Sequence, residues 1–331
     1  MRTAVITVGV AMTLIAAAPA AGADRIVATV ARSTGVDADG GRAVWSAWDP
    51  AVHAYRLAAY ARGHVRTLPI APNPVPFDAD IGPDAHGLLR VVFSRCDRSP
   101  VSTWALDGRR GCDLYATRIV GTGQFRLRGA NGPADEYWPT IWGNRIAFTR
   151  TYRPQGGQTR RFVYWRNLTG GGPSHRLRRG SLKEGDAVPE ELDMRGRRVA
   201  FVWNREFGDE LRLASTDGSG RLLVRVPGSG AAADELAAQG PTLRGGGVDW
   251  MLSVGGDDPA FSEIRRVAVP TRRQQRANTR IDGDPSLPRA TEGFAQDGGR
   301  SWYVRAAAAN AYEIHLVTGL RYQPAPPIVL E

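Results

Sequence analysis

Six times along this chain a short apolar run carries an aromatic residue, and in four of them the aromatic ends the run. The runs are Ala43-Val44-Trp45, Val91-Val92-Phe93, Ile146-Ala147-Phe148 and Val199-Ala200-Phe201, with weaker copies at Asp249-Trp250-Met251 and Trp302-Tyr303-Val304. The aromatics at 45, 93, 148, 201, 250 and 303 are spaced by 48, 55, 53, 49 and 53 residues. Each run is followed by a partner segment: Tyr55-Arg-Leu57, Asp113-Leu-Tyr115, Phe162-Val-Tyr164, Glu210-Leu-Arg212, Glu263-Ile-Arg265 and Glu313-Ile-His315. The fullest copy runs from Gly196 to Val226. There a glycine turn leads into Arg197-to-Trp203, rich in β-branched and aromatic residues, then Glu210-Leu-Arg-Leu213 alternates apolar and polar. Asp217-Gly-Ser-Gly220 is a turn, and Arg221–Val226 is a further strand. With an apolar strand near Val188 to Leu192, this makes a four-stranded antiparallel unit. One such sheet cannot shield both its faces, so it needs neighbours of its own kind. A multi-strand repeat with a period near fifty predicts an all-β fold, a six-bladed β-propeller of four-stranded antiparallel blades.

The repeat resembles that of the TolB-like six-bladed β-propellers, whose WD40-like repeat joins a Ser-Pro-Asp-Gly turn, an Ile-Ala-Phe strand and an Ile-Tyr strand. Arg145-Ile-Ala-Phe148 and Arg198-Val-Ala-Phe201 match the second element. The turn survives in part at Ala38-Asp-Gly-Gly41, Pro83-Asp-Ala-His-Gly87 and Gln296-Asp-Gly-Gly299, and as a lone glycine at Gly143, Gly196 and Gly246. The resemblance spans nearly all the chain after residue 23 and implies an exported bacterial propeller. It speaks to fold, since one fold hosts many functions.

The first 23 residues read as a signal peptide: Arg2, an apolar stretch from Ala4 to Ala18, and a small-residue site at Ala21-Gly22-Ala23, with cleavage after Ala20 as the alternative. Residues 24–331 are then one propeller domain, predicted to be secreted or held in the cell envelope without a membrane anchor. The strand Arg25–Val30 is expected to close the ring as the outer strand of the last blade, with Ile328-Val-Leu330 as its competitor. Cys96 and Cys112, the only cysteines, stand on neighbouring antiparallel strands of the second repeat and predict a disulfide. Ala231–Ala238 suggests a short helix in a connecting loop.

Net charge is +10, and Lys183 is the only lysine among 43 basic residues. The arginines are scattered through every repeat, which suits charged strand edges better than a nucleic-acid surface. A third functional class, retention of an acidic polymer by these arginines, would show steep salt dependence.

An acidic residue precedes most of the runs: Asp37 or Asp39, Asp80, Glu136, Glu190, Glu235 and Glu292. Glu136 and Glu292 each lie twelve residues before the end of their triplets. If the blades superpose, these carboxylates converge at one end of the central channel, where they would hold a divalent cation or a cationic peptide. The competing reading has each carboxylate accepting backbone N–H bonds in the loop entering its own blade. Tyr137, Trp138 and Trp142 either line a ligand face or, the favoured reading, pack between blades. No Gly-x-Ser-x-Gly elbow, phosphate loop or histidine set with ligand spacing is present. The sequence therefore predicts a monomeric, non-enzymatic binding or scaffold propeller for an unknown protein or peptide, with no cofactor and no nucleic-acid partner. The alternative is a metal-dependent enzyme, lactonase- or lyase-like, with its carboxylates at the channel mouth.

Overall fold

The computed structural model describes residues 23–97, 111–121, 123–152, 160–169, 172–177, 188–205, 208–227, 236–255, 260–282, 291–308, 311–326 and 328. Among these every regular element is a strand, and the strands form six antiparallel sheets. In blades one to four, four strands run outward from the axis in chain order. The inner strands are Val36–Asp39, Ala79–Pro83, Asp135–Trp142, Val188–Arg195, Leu236–Arg244 and Thr291–Asp297. Each packs beside the next, and the sixth returns to the first, so the ring is closed. Nearly all of the predicted signal peptide lies outside the described residues, as does most of the helix expected over 231–238. The end of that stretch, Leu236 to Ala238, begins an inner strand instead.

The six repeat aromatics occupy one structural position. In register, the residue before each one faces an equivalent inner-strand residue: Val44 faces Asp37, Val92 faces Asp80, Ala147 faces Thr140, Ala200 faces Asp193, Asp249 faces Thr242 and Trp302 faces Ala295. Trp45, Phe93, Phe148, Phe201, Trp250 and Tyr303 are all buried. They feed six apolar clusters, and each cluster is shared by two adjacent blades. Each junction is thus a core, which is what a sheet unable to cover itself requires. Several of the aromatics lie against a ring on the third strand, as Phe93 does on Tyr115 and Phe148 on Tyr164.

Ring closure follows the expected route. Asp24–Val30 pairs antiparallel with the third strand of blade six, Ala311–Thr318, as its outer strand. Asp24 accepts a hydrogen bond from Tyr303 Oη at 2.7 Å and lies 2.9 Å from His315 Nδ1. The chain end is used elsewhere. Tyr322–Pro324 adds a fifth strand to blade five, beside Gln274–Asp282, and covers that sheet edge.

Cys96 and Cys112 form the predicted disulfide, 16 residues apart, packed against Val75 and Tyr137. Closing a loop of that length is worth about 3 kcal/mol in the chain-entropy view. The double variant Cys96→Ser/Cys112→Ser should therefore lose about that much stability in chemical denaturation. A loss below about 1 kcal/mol would mean that packing, and not the bridge, holds blade two.

Candidate functional site

The inner strands carry the channel, and one row of side chains ties them to each other. Asp37 Oδ2 accepts the Ile81 N–H at 2.7 Å, and Asp80 Oδ2 accepts the Ile141 N–H at 2.6 Å. Thr140 Oγ1 accepts from Met194 at 2.9 Å, Asp193 accepts from Leu243, and Thr242 Oγ1 accepts from Gln296 at 3.3 Å. The acceptor always sits at the equivalent position of one blade, and the donor is one residue past that position on the next blade. In blade six that position is Ala295, with the bulky Trp302 across from it. The last junction is tied lower down, where Asp297 accepts from the Gly41 N–H. Asp37, Asp80 and Asp193 are therefore inter-blade clamps. For Asp37 and Asp80 the expectation that these carboxylates cap their own entry loops is corrected: they accept backbone donors from the neighbouring blade, whereas Glu136 does take a backbone bond from Gly132 in its own entry loop.

Crowding these acids beside the axis changes their protonation. Burial pushes the Asp193 carboxyl up to about 8, helped by the negative charge of Asp37. Burial and the charges of Asp297 and Asp37 move Asp39 to about 6. Asp80 is raised by burial and then by Asp37, to which it is hydrogen-bonded, and burial raises Asp37 as well. A protonated clamp keeps its second oxygen as acceptor.

The other sequence-predicted acids disperse. Glu136 is fully buried away from the channel and pairs with Arg150 at 2.8 Å, and burial raises it to about 7. Glu190 and Glu292 do reach the channel mouth, at the end where the inner strands begin. Glu235 lies outside the described residues. Asp80, Glu136, Glu190 and Glu292 thus form no single ring, and among the described residues no group of three His, Cys, Asp or Glu side chains is placed to hold a metal ion. The physical reason is register. Glu190 pairs with Val202, one step past Phe201, whereas Glu136 pairs with Arg150, two steps past Phe148. A one-residue offset sends a side chain to the other face of the sheet.

The aromatics separate in the same way. Tyr137 is buried on the disulfide, so it is a packing residue. Trp138 lines the mouth, while Trp142 lies at the opposite end of the channel under the Arg195 guanidinium, 4.8 Å from its ring centre. Trp138 sits in a two-residue bulge with φ of 41°, and Glu191 and Gly240 occupy the equivalent bulges at 50° and 53°. That left-handed backbone is costly for tryptophan and glutamate and turns the strand inward at the mouth. At Gly240 a Cβ would lie 2.2 Å from the Phe294 carbonyl, and its N–H is held by Glu191.

The mouth is a cavity of about 500 Å³. Asp78, Glu190, Glu191 and Glu292 enter it from three blades, with Asp37, Asp80 and Asp193 deeper; Phe77, Trp138 and Tyr312 give it aromatic walls. The charge of Glu292 helps to raise the Tyr312 hydroxyl, after burial, which places the two together. The one cation lining it among the described residues, Arg32, is stacked on Trp48 at 3.4 Å. Sequence reasoning missed Glu191, Asp193 and Asp78; in blade four neither bulge residue, Glu191 or Leu192, is a glycine or proline that would announce the bulge aiming Glu191.

Fold and site together define a ring-closed, six-bladed β-propeller with an acidic, aromatic channel mouth. No family model matches the chain, and no curated protein matches it in sequence. Among solved structures it is similar to a Mycobacterium tuberculosis puromycin-hydrolyzing peptidase, at 15% identity and a TM-score of 0.48 over 91% of this chain and 53% of that one. It is also similar to a Pyrococcus horikoshii acylaminoacyl peptidase, at 10% identity and 0.49 over 88% and 51%, and to an oligogalacturonate lyase in complex with manganese, at 11% and 0.46 over 87% and 77%. The chain spans about half the length of the first of these. No activity transfers at this level of likeness.

Proposed function

We propose that this chain is an exported, TolB-like propeller that recognises a positively charged segment of a partner protein at its channel mouth. Export is supported by the apolar leader-like start and the disulfide, and no helix among the described residues is long and apolar enough to cross a membrane. The observation that carries the reading is a contrast of sign. A chain of net charge +10 turns carboxylates from blades two, four and six into one aromatic-walled cavity. A flexible basic segment is repelled by the net charge of the chain and attracted by this mouth, where aromatic faces also accept guanidinium groups.

Calorimetric titration with hexa-arginine tests this. Binding is expected in low salt, weakening as salt rises, and falling by at least about tenfold in the Glu190→Gln/Glu292→Gln variant. Hexaglutamate should not bind. Equal affinity for the variant and the parent chain would remove the mouth from recognition.

A further inference from the structure

A second cavity, of about 470 Å³, opens between blades two and three on the opposite face, where the inner strands end. Its floor is apolar: Val92, Ala116, Leu127, Ile141 and Ile146 are all buried. Its charged lining is four arginines and one carboxylate, Asp84. Arg90 is matched by Asp84 at 2.7 Å and Arg126 by Asp113 at 2.6 Å. Among the described residues Arg166 has no such match. It is only 4% exposed, it lines this cavity, and its one hydrogen bond among the described residues runs from Nε to the Asn167 carbonyl at 3.1 Å. The terminal nitrogens lie against Gly129, where a Cβ would stand 2.0 Å from the guanidinium; only glycine leaves room for that placement. Arg128, exposed on the rim, adds a second cation with no carboxylate partner among the described residues.

A buried guanidinium with no counter-charge is expensive, and chains keep such a group where something else supplies the anion. Burial and the neighbouring Arg150 both weaken the hold of Arg166 on its proton, and no acid among the described residues offsets them. A guanidinium is a planar fork that fits a carboxylate through two parallel bonds. An apolar floor around one such fork selects an apolar body carrying one charge and excludes polyanions, which need several cations.

We propose that this inter-blade cavity is a binding site for a small organic carboxylate with an apolar body, its carboxylate anchored by Arg166 and its body lying on the floor from Val92 to Ile146. The site is separate from the channel mouth, so it stands or falls independently of the recognition reading above.

The probe is 4-phenylbutyrate, with 4-phenylbutan-1-ol as its uncharged counterpart, titrated calorimetrically into the full chain. The acid is expected to bind, the alcohol at least about tenfold more weakly, and Arg166→Gln should lose about tenfold for the acid while leaving the alcohol unchanged. Should Arg166→Gln fail to fold, amide shift mapping on the parent chain decides instead. Perturbations from the acid must then cluster at Leu127, Arg128, Ala130, Asn144 and Thr169. No binding of the acid, equal binding of acid and alcohol, full affinity in a folded Arg166→Gln, or shifts confined to other residues would each overturn the site.

Discussion

A chain lacking Asp24–Val30 is expected to lose cooperative unfolding altogether. That strand supplies the outer edge of blade six, covers the apolar cluster shared by blades six and one through Val30, and ties down Tyr303 and His315 through Asp24. Without it blade six keeps three strands and presents a bare edge, and the junction between last and first blades loses part of its cover. Every other blade leans on that junction through the closed ring, so the cost is not confined to one sheet. The expected result is loss of near-ultraviolet dichroism and a broad, low thermal transition. A milder variant grades the effect: Asp24→Ala removes two hydrogen bonds and should cost about 1–2 kcal/mol. A truncated chain that unfolds as sharply as the parent would show that another strand closes the ring.

The second large effect is on pH. Asp193, Asp39 and Glu136 have folded-state pKa values raised to about 8, 6 and 7 by burial, above the ordinary carboxylate range they regain on unfolding. Between the two values the native state binds more protons than the unfolded one, so stability falls as pH rises. It is fullest below about pH 4 and declines through pH 8, the reverse of a protein held by ordinary surface ion pairs. A shift of one unit corresponds to about 1.4 kcal/mol, and Asp193 retains some contact with channel water, so about 1–3 kcal/mol is expected from that residue. For a chain of this size that is about 5 °C in thermal midpoint. Asp193→Asn keeps an acceptor for the Leu243 N–H and removes the charge. It should therefore flatten the profile and be more stable than the parent at pH 8, with little difference at pH 5. A parent profile that climbs between pH 5 and pH 8 would contradict this.

The fold was legible in the sequence because the repeat aromatics report directly on the inter-blade cores, and cores are what strand periodicity encodes. Trp45, Phe93, Phe148, Phe201, Trp250 and Tyr303 fall on one structural position even though Tyr303 sits in a run as altered as Trp302-Tyr303-Val304. The acidic site was legible only in part. Asp37, Thr140, Asp193 and Thr242 each stand eight residues before their aromatic, a constant that a search confined to acids passes over because threonine does the same work. Blade two breaks the count: its hairpin through Asp84 and Gly87 is longer, so Asp80 stands thirteen residues ahead of Phe93. The bulges between Tyr137 and Thr140 and between Glu190 and Asp193 are equivalent, but Glu190 borders its bulge while Glu136 stands one residue further back, so the two point to different sides of their sheets. Arg166 carried no signal at all, because its isolation from carboxylates exists only once blades two and three meet.

Hydrogen exchange at the clamp donors tests the account most directly. If one row of side chains binds the inner strands into a ring, the amides of Ile81, Ile141, Met194 and Leu243 open only when the whole chain does, and all four exchange at the rate set by global unfolding. Exchange of any of them at the faster rate of local fluctuation, while the sheet cores stay protected, would show blades that merely lie side by side.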